Sequence, residues 1–303
     1  MTKTITLNRR SFGIGAAGLA LAGLVPQSAF AQETRSVTTA LGTYDIPADP
    51  QRVLCVDSRL DIEPAVALGL NIVGHAYDKV EPWVPADPNW KFVGEVPDLE
   101  QVLALDPDLI ICTDVGDRDS EYWPINRLKD VAPVLPPPYV LPWKEILAQI
   151  GVWTGREGAA DAMLAEYDAL IADIKQRRAE QIASKTIAVV QPWSDGTIFL
   201  QAELSLLQPQ IMADLGAKTI PVVEGNIVSA ENFSDVLGGV DGILLVLHTE
   251  GGLEPVAQQQ TWTRLPAVAA GKVIGRVGNT NFGGIYTAMH VAKLFDELYG
   301  TLA

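Results

Sequence analysis

The residues best suited to chemistry are scattered along this chain, and their spacing forms no familiar reaction centre. The histidines are His75, His248 and His290, and the cysteines are Cys55 and Cys112. Metallopeptidases of the H-E-x-x-H type and serine hydrolases of the G-x-S-x-G type need motifs that this sequence lacks, as it lacks a Walker glycine loop and C-x-x-C. We therefore expect a protein that is not an enzyme, with no catalytic residue, no cofactor and no metal ligand of its own.

Aromatic and hydrogen-bonding side chains instead follow the apolar runs that predict strands. In open parallel sheets, ligands bind beyond the carboxyl ends of the strands, so we expect these side chains to line one site. Aromatic faces with a few charges suit a bulky organic ligand that is partly flat and partly rich in oxygen. The predicted ligand-binding residues are Arg59, His75, Tyr77, Lys79, Trp83, Trp193, Asn226, His248, Asn281 and Phe282.

Alternating strand and helix signals form two similar series. Short apolar runs at 52–56, 71–76 and 108–113 predict buried strands with helical segments between them, and the alternation resumes at 186–193. Continuous apolar strands separated by helices indicate parallel sheets that are covered on both faces. The predicted fold class is α/β, with two Rossmann-like lobes, parallel sheets and a ligand cleft between the lobes.

A long helical segment separates the two series. Neither Gly nor Pro occurs from Ala159 to Lys185, and apolar residues recur there at helical spacing. We interpret this segment as one long connector helix at 155–184, between an N-terminal lobe at 36–154 and a C-terminal lobe at 185–303. An ordinary surface helix would have the same pattern, but a fresh strand–helix series starts directly after it.

The start of the chain, 1–31, has the pattern of a cleavable signal peptide. Arg9 and Arg10 precede an apolar run, and small residues up to Ala31 mark a cleavage site. The arginine pair resembles a twin-arginine export signal, with an ordinary Sec signal as the alternative. We expect a soluble periplasmic protein and a monomer.

The two cysteines leave two interpretations open. Cys55 and Cys112 each lie at the end of an apolar run. In an oxidising compartment they could form a disulfide, or they could be buried thiols on neighbouring strands.

Several phrases resemble one known family, the periplasmic substrate-binding proteins of iron–siderophore uptake transporters, which includes ferrichrome- and cobalamin-binding proteins. The similar segments are "VGEVPDLEQVLALDPDLII" at 93–111, "QTWTRLPAVAAGKVI" at 260–274 and "NFGGIYTAMHVAKLFDEL" at 281–298. The resemblance implies two rigid lobes joined by a long helix, with little closure on binding. It also implies that the ligand is a ferric siderophore, whose own chelating groups keep hold of the iron.

The same resemblance implies a membrane partner. In that family one glutamate of each lobe docks onto arginines of an inner-membrane ABC permease dimer with its ATPase. The matching positions here are Glu100, in "PDLE", and Glu231, in "SAEN". Considered alone, either residue could simply be a favourable acidic charge at a helix N-terminus.

Charge bears on the class of chelator. The candidate loops offer Arg59 and Lys79 as cations, and these are outnumbered by Asp57, Asp61, Asp114, Asp195 and Glu250. Desolvating a highly anionic ferric catecholate beside carboxylates is costly, so a hydroxamate-type complex is preferred.

Haem, cobalamin or a divalent metal held by His75 and His248 is an alternative ligand. An exported enzyme or sensor domain on the same scaffold is a remote one. The formal charge of −15 argues against nucleic acid.

Overall fold

The computed structural model describes residues 33–221 and 224–303. Residues 34–303 form one compact unit. The predicted signal peptide, 1–31, lies outside the described residues. Within them, no helix is long and apolar enough to cross a membrane.

A β-hairpin that the sequence analysis did not predict precedes the first lobe. Its antiparallel strands are β1 (Thr34–Thr39) and β2 (Gly42–Pro47). Val37 and Ile46 point into the core, and the Trp153 indole nitrogen donates to the Thr38 carbonyl at 3.1 Å. These contacts attach the hairpin to the N-terminal lobe.

Five parallel strands form the sheet of the N-terminal lobe. They are β3 (Val53–Cys55), β4 (Ile72–His75), β5 (Lys91–Phe92), β6 (Leu109–Ile111) and β7 (Val134–Leu135). Their order is β5-β4-β3-β6-β7. The chain therefore extends the sheet in both directions from β3, and the loops after β3 and β6 lie at the topological switch point where such folds bind ligands.

Four helices connect these strands and lead to the connector. They are α1 (Ile62–Ala67), α2 (Leu99–Leu105), α3 (Ile125–Leu128) and α4 (Trp143–Thr154). The last of them ends at Gly155, whose φ of 69° is the left-handed conformation that glycine adopts at a helix C-terminus.

The connector consists of two helices rather than the single helix predicted at 155–184. They are α5 (Glu157–Arg177) and α6 (Ala179–Ser184). Arg178 interrupts them with φ −112° and ψ 19°. Its side chain donates to the Asp296 carboxylate at 2.7 Å, so the break places a cation against the last helix of the chain. Helical spacing in the sequence continues through Arg178 and could not indicate this break.

The sheet of the C-terminal lobe is mixed, whereas a parallel sheet was predicted. Its strands are β8 (Thr186–Pro192), β9 (Ile198–Leu200), β10 (Lys218–Thr219), β11 (Ile227–Val228), β12 (Gly242–Leu247) and β13 (Val273–Val277). The order is β11-β9-β8-β12-β13, with β10 also paired to β8. Antiparallel pairing occurs between β8 and β9 and between β9 and β11.

A tight turn explains the antiparallel strand β9. Gly196 has φ +84°, and the Asp195 carboxylate accepts from the Thr197 amide at 2.9 Å. Asp-Gly is a strong hairpin signal, so the sequence contained this information.

Six helices complete the C-terminal lobe. They are α7 (Leu207–Leu215), α8 (Phe233–Leu237), α9 (Glu254–Ala257), α10 (Gln260–Thr263), α11 (Pro266–Ala269) and α12 (Ile285–Thr301). Short 3₁₀ turns span Glu224–Asn226 and Ala230–Asn232.

One hydrophobic cluster is shared by both lobes. It contains Cys55 of β3 and Val189 of β8 together with apolar side chains of α4, α5 and α12. Two smaller clusters lie on the other faces of the two sheets. The shared cluster therefore packs the inner faces of both sheets against common helices.

The cysteines lie on opposite faces of the N-terminal sheet. Cys55 belongs to the shared cluster, and Cys112 belongs to the cluster on the other face. Both are buried and free. Because side chains on opposite faces of a sheet point apart, the structure supports buried thiols rather than a disulfide.

Buried side chains also fasten the two lobes together near the N-terminus of α12. Glu63 of α1 accepts from the Thr287 amide at 2.8 Å and from the Thr287 hydroxyl. The Trp83 indole nitrogen donates to the same hydroxyl at 2.8 Å, and Glu81 accepts from the Asn279 amide at 2.8 Å. Both glutamates are less than 5% exposed, so these contacts are shielded from water.

Candidate ligand-binding site

Arg59 lies where the two lobes meet. It follows β3, and its guanidinium pairs with the Asp57 carboxylate at 3.2 Å. The guanidinium carbon is 5.0 Å from the Tyr77 ring centre and 5.7 Å from the Phe282 ring centre. Tyr77 belongs to the N-terminal lobe and Phe282 to the C-terminal lobe, so this cation is in contact with both. Only 7% of Arg59 is exposed.

A second buried carboxylate supports the arginine loop. Asp61 accepts from the Asp57 amide at 2.7 Å and from the Thr113 hydroxyl at 2.6 Å. Burial, and then the charge of Asp57, raises the pKa of Asp61 to about 7. The loops after β3 and β6 are thus joined at the switch point of the sheet, where Asp57 pairs with the buried Arg59.

Aromatic rings of the N-terminal lobe pack around Tyr77. The Tyr77 ring centre is 4.8 Å from Trp123, and Tyr122 approaches it edge-on at 5.8 Å. Tyr77 has φ +70°, a left-handed conformation that is strained for a bulky residue, and its amide donates to the Gly94 carbonyl at 3.1 Å. The sequence analysis missed Tyr122 and Trp123, although both lie in the loop that follows β6.

In the C-terminal lobe, the side-chain amides of Gln191, Gln201 and Asn281 form a hydrogen-bonded group beside His248. The Asn281 amide nitrogen donates to Gln191 at 2.9 Å and lies 3.2 Å from His248 Nε2. Gln201 donates to Gln191 at 3.1 Å and to Asn281 at 2.9 Å. Burial, and then the charge of Arg59, lowers the pKa of His248. A neutral His248 can accept from Asn281, which leaves Nδ1–H as a donor.

Five predicted residues therefore converge between the lobes: Arg59, Tyr77, His248, Asn281 and Phe282. Gln201 was not predicted. A Gln after an antiparallel strand carries no local signal, and its role depends on contacts made 80 residues away.

Three other predicted residues are engaged elsewhere. Trp83 stacks on His290 with ring centres 4.0 Å apart, at the contact between the lobes. Trp193 stacks on Phe199 across the β8–β9 hairpin. Asn226 is buried and donates to Glu203 at 2.8 Å. Among the contacts of the described residues, none joins these three to Arg59 or to the four residues that converge with it.

The remaining two, His75 and Lys79, line a cavity of about 370 Å³ in the N-terminal lobe. A separate cavity of about 390 Å³ lies at the carboxyl ends of β8 and β12, where His248 and Glu250 contribute to its wall. His75 and His248 thus line different cavities. Within the described residues, no group of three or more His, Cys, Asp or Glu is placed to hold a metal ion.

The two glutamates predicted to dock are exposed at the starts of short helical segments. Glu100 lies in the first turn of α2, whose N-terminus is capped by Asp98 accepting from the Glu100 amide at 2.9 Å. Glu231 lies in the 3₁₀ turn before α8, where hydrogen bonds from its own amide and from Ser229 lower its pKa. Both carboxylates are available to a partner.

Comparison with known proteins gives a consistent result. The family model described as "Periplasmic binding protein" matches residues 65–276. The chain is 30% identical over 175 residues to the ferric enterobactin-binding periplasmic protein FepB of Escherichia coli O6:H1 (strain CFT073), covering 53% of this chain and about half, 54%, of that relative. It is 26% identical over 254 residues to the iron(3+)-hydroxamate-binding protein FhuD of Bacillus subtilis, covering 80% and 78% of the two chains.

A solved structure of low sequence identity has the same fold. The periplasmic solute binding protein of Mycobacterium smegmatis superposes with a TM-score of 0.74 at 18% identity, covering 89% of this chain and 99% of that one. With the family model spanning well over half of the sequence, the chain belongs to the periplasmic binding protein family.

Proposed function

We propose that this protein captures a ferric siderophore between its lobes and delivers it to an inner-membrane ABC permease. The observation that carries the proposal is the convergence of Arg59, Tyr77 and Phe282 at the meeting point of the two lobes. A cation between aromatic rings suits a chelate with an organic frame and clustered oxygens. Two relatives of the same family bind ferric siderophores by name, which supports this choice of ligand.

The iron stays in its chelator. A bare cation would need several protein ligands at one place, and the described part of the chain offers no such group. Arg59 and the neutral His248 would instead donate hydrogen bonds to the oxygens of the chelate. We do not retain the metal-binding alternative, because His75 and His248 line separate cavities.

Charge favours a hydroxamate-type complex. The charge of Arg59 is already balanced by Asp57 at 3.2 Å, and the buried acid Asp61 accepts from the Asp57 amide behind it. A strongly anionic catecholate complex would have to desolvate beside a cation that Asp57 already neutralises. An uncharged or cationic hydroxamate complex meets no such cost.

Quenching of tryptophan fluorescence by a panel of ferric siderophores tests the proposal. We expect saturable quenching by ferric hydroxamates and weaker binding of a ferric tris-catecholate. Metal-free chelators serve as controls for nonspecific quenching. Tight binding of the catecholate with no binding of any hydroxamate would reverse the proposed chelator class, and binding of neither class would remove the proposed function.

Glu100 and Glu231 are the proposed docking points for the permease, one on each lobe. Their exposed carboxylates would pair with arginines of a two-fold partner. Glu100→Arg and Glu231→Arg should therefore abolish uptake of the siderophore by cells while leaving its affinity for the purified protein unchanged. Glu157→Arg is the matched control, because Glu157 is also exposed in the first turn of a helix, α5. Loss of uptake in the control as well would contradict specific docking.

We propose that the protein is exported to the periplasm, where it would meet its ligand and the permease. The basic start and small-residue cleavage site of 1–31 support a cleavable signal, and Arg9-Arg10 supports the twin-arginine pathway. Mass spectrometry of the secreted protein should find Gln32 at its N-terminus. Replacing both arginines by lysine should stop export; undiminished export would instead favour the Sec pathway.

A further inference from the structure

The cavity beside β5 in the N-terminal lobe has an aromatic lining that the proposed function does not yet use. Its volume is about 370 Å³. The residues that form it are His75, Lys79, Val80, Ala86, Asp87, Pro88, Trp90 and Phe92. Most of this surface is apolar, and His75, Lys79 and Asp87 supply its polar groups.

Two large aromatic side chains are left partly open to solvent here. Phe92 is 46% exposed although it belongs to a strand, and Trp90, two residues before it, is half-buried. β5 is a two-residue edge strand that pairs only with β4 among the described strands, so no neighbouring strand covers Phe92. Exposed aromatic surface lining a concave site is a common property of ligand pockets.

The floor of the cavity contains an unfilled polar position. His75 is 8% exposed and pairs with Phe92 at a ring-centre distance of 5.3 Å. Its Nδ1 is buried and has no hydrogen-bond partner among the described residues. Buried polar atoms are rarely left unpaired, so a hydrogen bond to His75 is the polar contact that a ligand in this cavity would supply.

The cavity borders the loop that carries Tyr77, because His75 and Lys79 of its lining flank that residue. His75 ends β4, and Tyr77, which contacts Arg59 at 5.0 Å, follows two residues later. An arm in the cavity would have to extend past Tyr77 from a chelate centred on Arg59.

We propose that this cavity binds an uncharged aromatic arm of the siderophore, a ring that carries one neutral hydrogen-bonding group such as an amide. The inference rests on the proposed function, because the arm is part of the ferric complex. The ring packs against Trp90 and Phe92, and its polar group pairs with His75. The protein thus selects siderophores by a substituent outside the iron centre.

A matched pair of ligands tests this selection. A linear ferric tris-hydroxamate with one free amine is acylated either with an acetyl group or with a benzoyl group, which leaves the iron centre the same in both. We expect the benzoyl complex to bind the wild-type protein about tenfold more tightly, as burial of an aromatic ring against aromatic partners would give. In the double variant Trp90→Ala with Phe92→Ala, the two complexes should bind equally, at the affinity of the acetyl complex.

A control variant and a folding check accompany the test. Leu103→Ala removes another exposed apolar side chain, on α2, and should keep the benzoyl preference. Circular dichroism establishes that each variant is folded. Equal binding of both ligands to the wild type, or an unchanged preference in the double variant, would overturn the inference.

A second measurement separates this inference from the proposed function. Saturation-transfer NMR with benzamide, on the protein without a siderophore, probes the cavity directly. We expect a signal from the wild type that the double variant loses. That result would support the aromatic site even if neither ferric hydroxamate bound, an outcome that would refute only the proposed ligand class. Absence of a benzamide signal from the wild type would overturn the aromatic site itself.

Discussion

At the scale of single residues, contacts from both lobes hold Arg59 in place. Asp57 neutralises the guanidinium and also accepts from the Arg59 amide at 2.8 Å. Tyr77 and Phe282 cover it from opposite lobes. The residue therefore has a fixed orientation before a ligand arrives, which lowers the entropy cost of the hydrogen bonds that it would donate.

Replacing Arg59 separates its contribution to stability from its contribution to binding. Arg59→Leu should lower the free energy of unfolding by about 3 kcal/mol, because it leaves Asp57 buried without its cation. The double variant Arg59→Leu with Asp57→Asn should recover most of that loss but should still bind ferric hydroxamate weakly. Urea unfolding and fluorescence titration measure the two effects. Full ligand affinity in the stable double variant would contradict a binding role for Arg59.

At the scale of elements, the N-terminus of α12 depends on a side chain from the other lobe. Glu63 of α1 accepts from the Thr287 amide, so a carboxylate caps the positive end of a helix. Burial raises the pKa of Glu63 to about 7, despite the hydrogen bonds from Thr287 that lower it. The folded protein therefore holds a proton on Glu63 at pH values where the unfolded chain has already lost it.

Stability should accordingly fall as pH rises through this range. Between the unfolded pKa of 4.5 and the folded pKa of about 7, the folded state binds more protons, so the Glu63 contribution is largest at or below pH 4.5. That contribution is on the order of 3 kcal/mol and is lost by about pH 7. Glu63→Gln should roughly halve the fall of unfolding free energy over this pH range, because Asp61, whose pKa is also raised to about 7, keeps its share; the exposed control Glu100→Gln should change nothing. The same slope in Glu63→Gln and the wild type would show that another group is responsible.

The elements also show what could be predicted from sequence. The strands β3, β4, β6 and β8 are short apolar runs with clear boundaries, and all four were predicted because hydrophobic pattern is a local property. The hairpin at Asp195-Gly196 was missed although its turn signal was present. The contact between Trp83 and Thr287 spans 204 positions, and nothing in the residues around Trp83 indicates it.

The candidate site could likewise be predicted only in part. Position after a strand predicted Arg59, Tyr77 and His248, which the structure brings together because the carboxyl ends of strands converge in this class of fold. Position alone could not distinguish Trp83 or Asn226, whose side chains follow strands or loops of the same kind but are satisfied by Thr287 and Glu203. Which loop residues face the cleft depends on side-chain packing that the sequence pattern does not contain.

At the scale of the whole molecule, contacts across the lobes limit their relative motion. Trp83 donates to Thr287 and stacks on His290, both on α12, while Glu81 accepts from the Asn279 amide. These contacts attach a loop of the N-terminal lobe to the C-terminal lobe independently of the connector helices. This arrangement favours two rigid lobes that move little relative to each other.

Removing the tryptophan should loosen this contact. Trp83→Ala should lower the free energy of unfolding by about 3 kcal/mol and speed amide hydrogen exchange in the first turn of α12, because both a stacked ring and a hydrogen bond are lost. Tyr139→Ala is the control, since Tyr139 is 41% exposed. If amide hydrogen exchange in α12 is the same in Trp83→Ala and in the wild type, the lobes are held together by other contacts.

The shared hydrophobic cluster has a thermodynamic consequence. Apolar side chains from both sheets pack on α4, α5 and α12, so neither half can lose its packing without exposing the interior of the other. Heating should accordingly melt the molecule in a single cooperative step, with calorimetric and van't Hoff enthalpies that agree. A destabilising substitution anywhere in the shared cluster should then lower the melting temperature of the whole molecule.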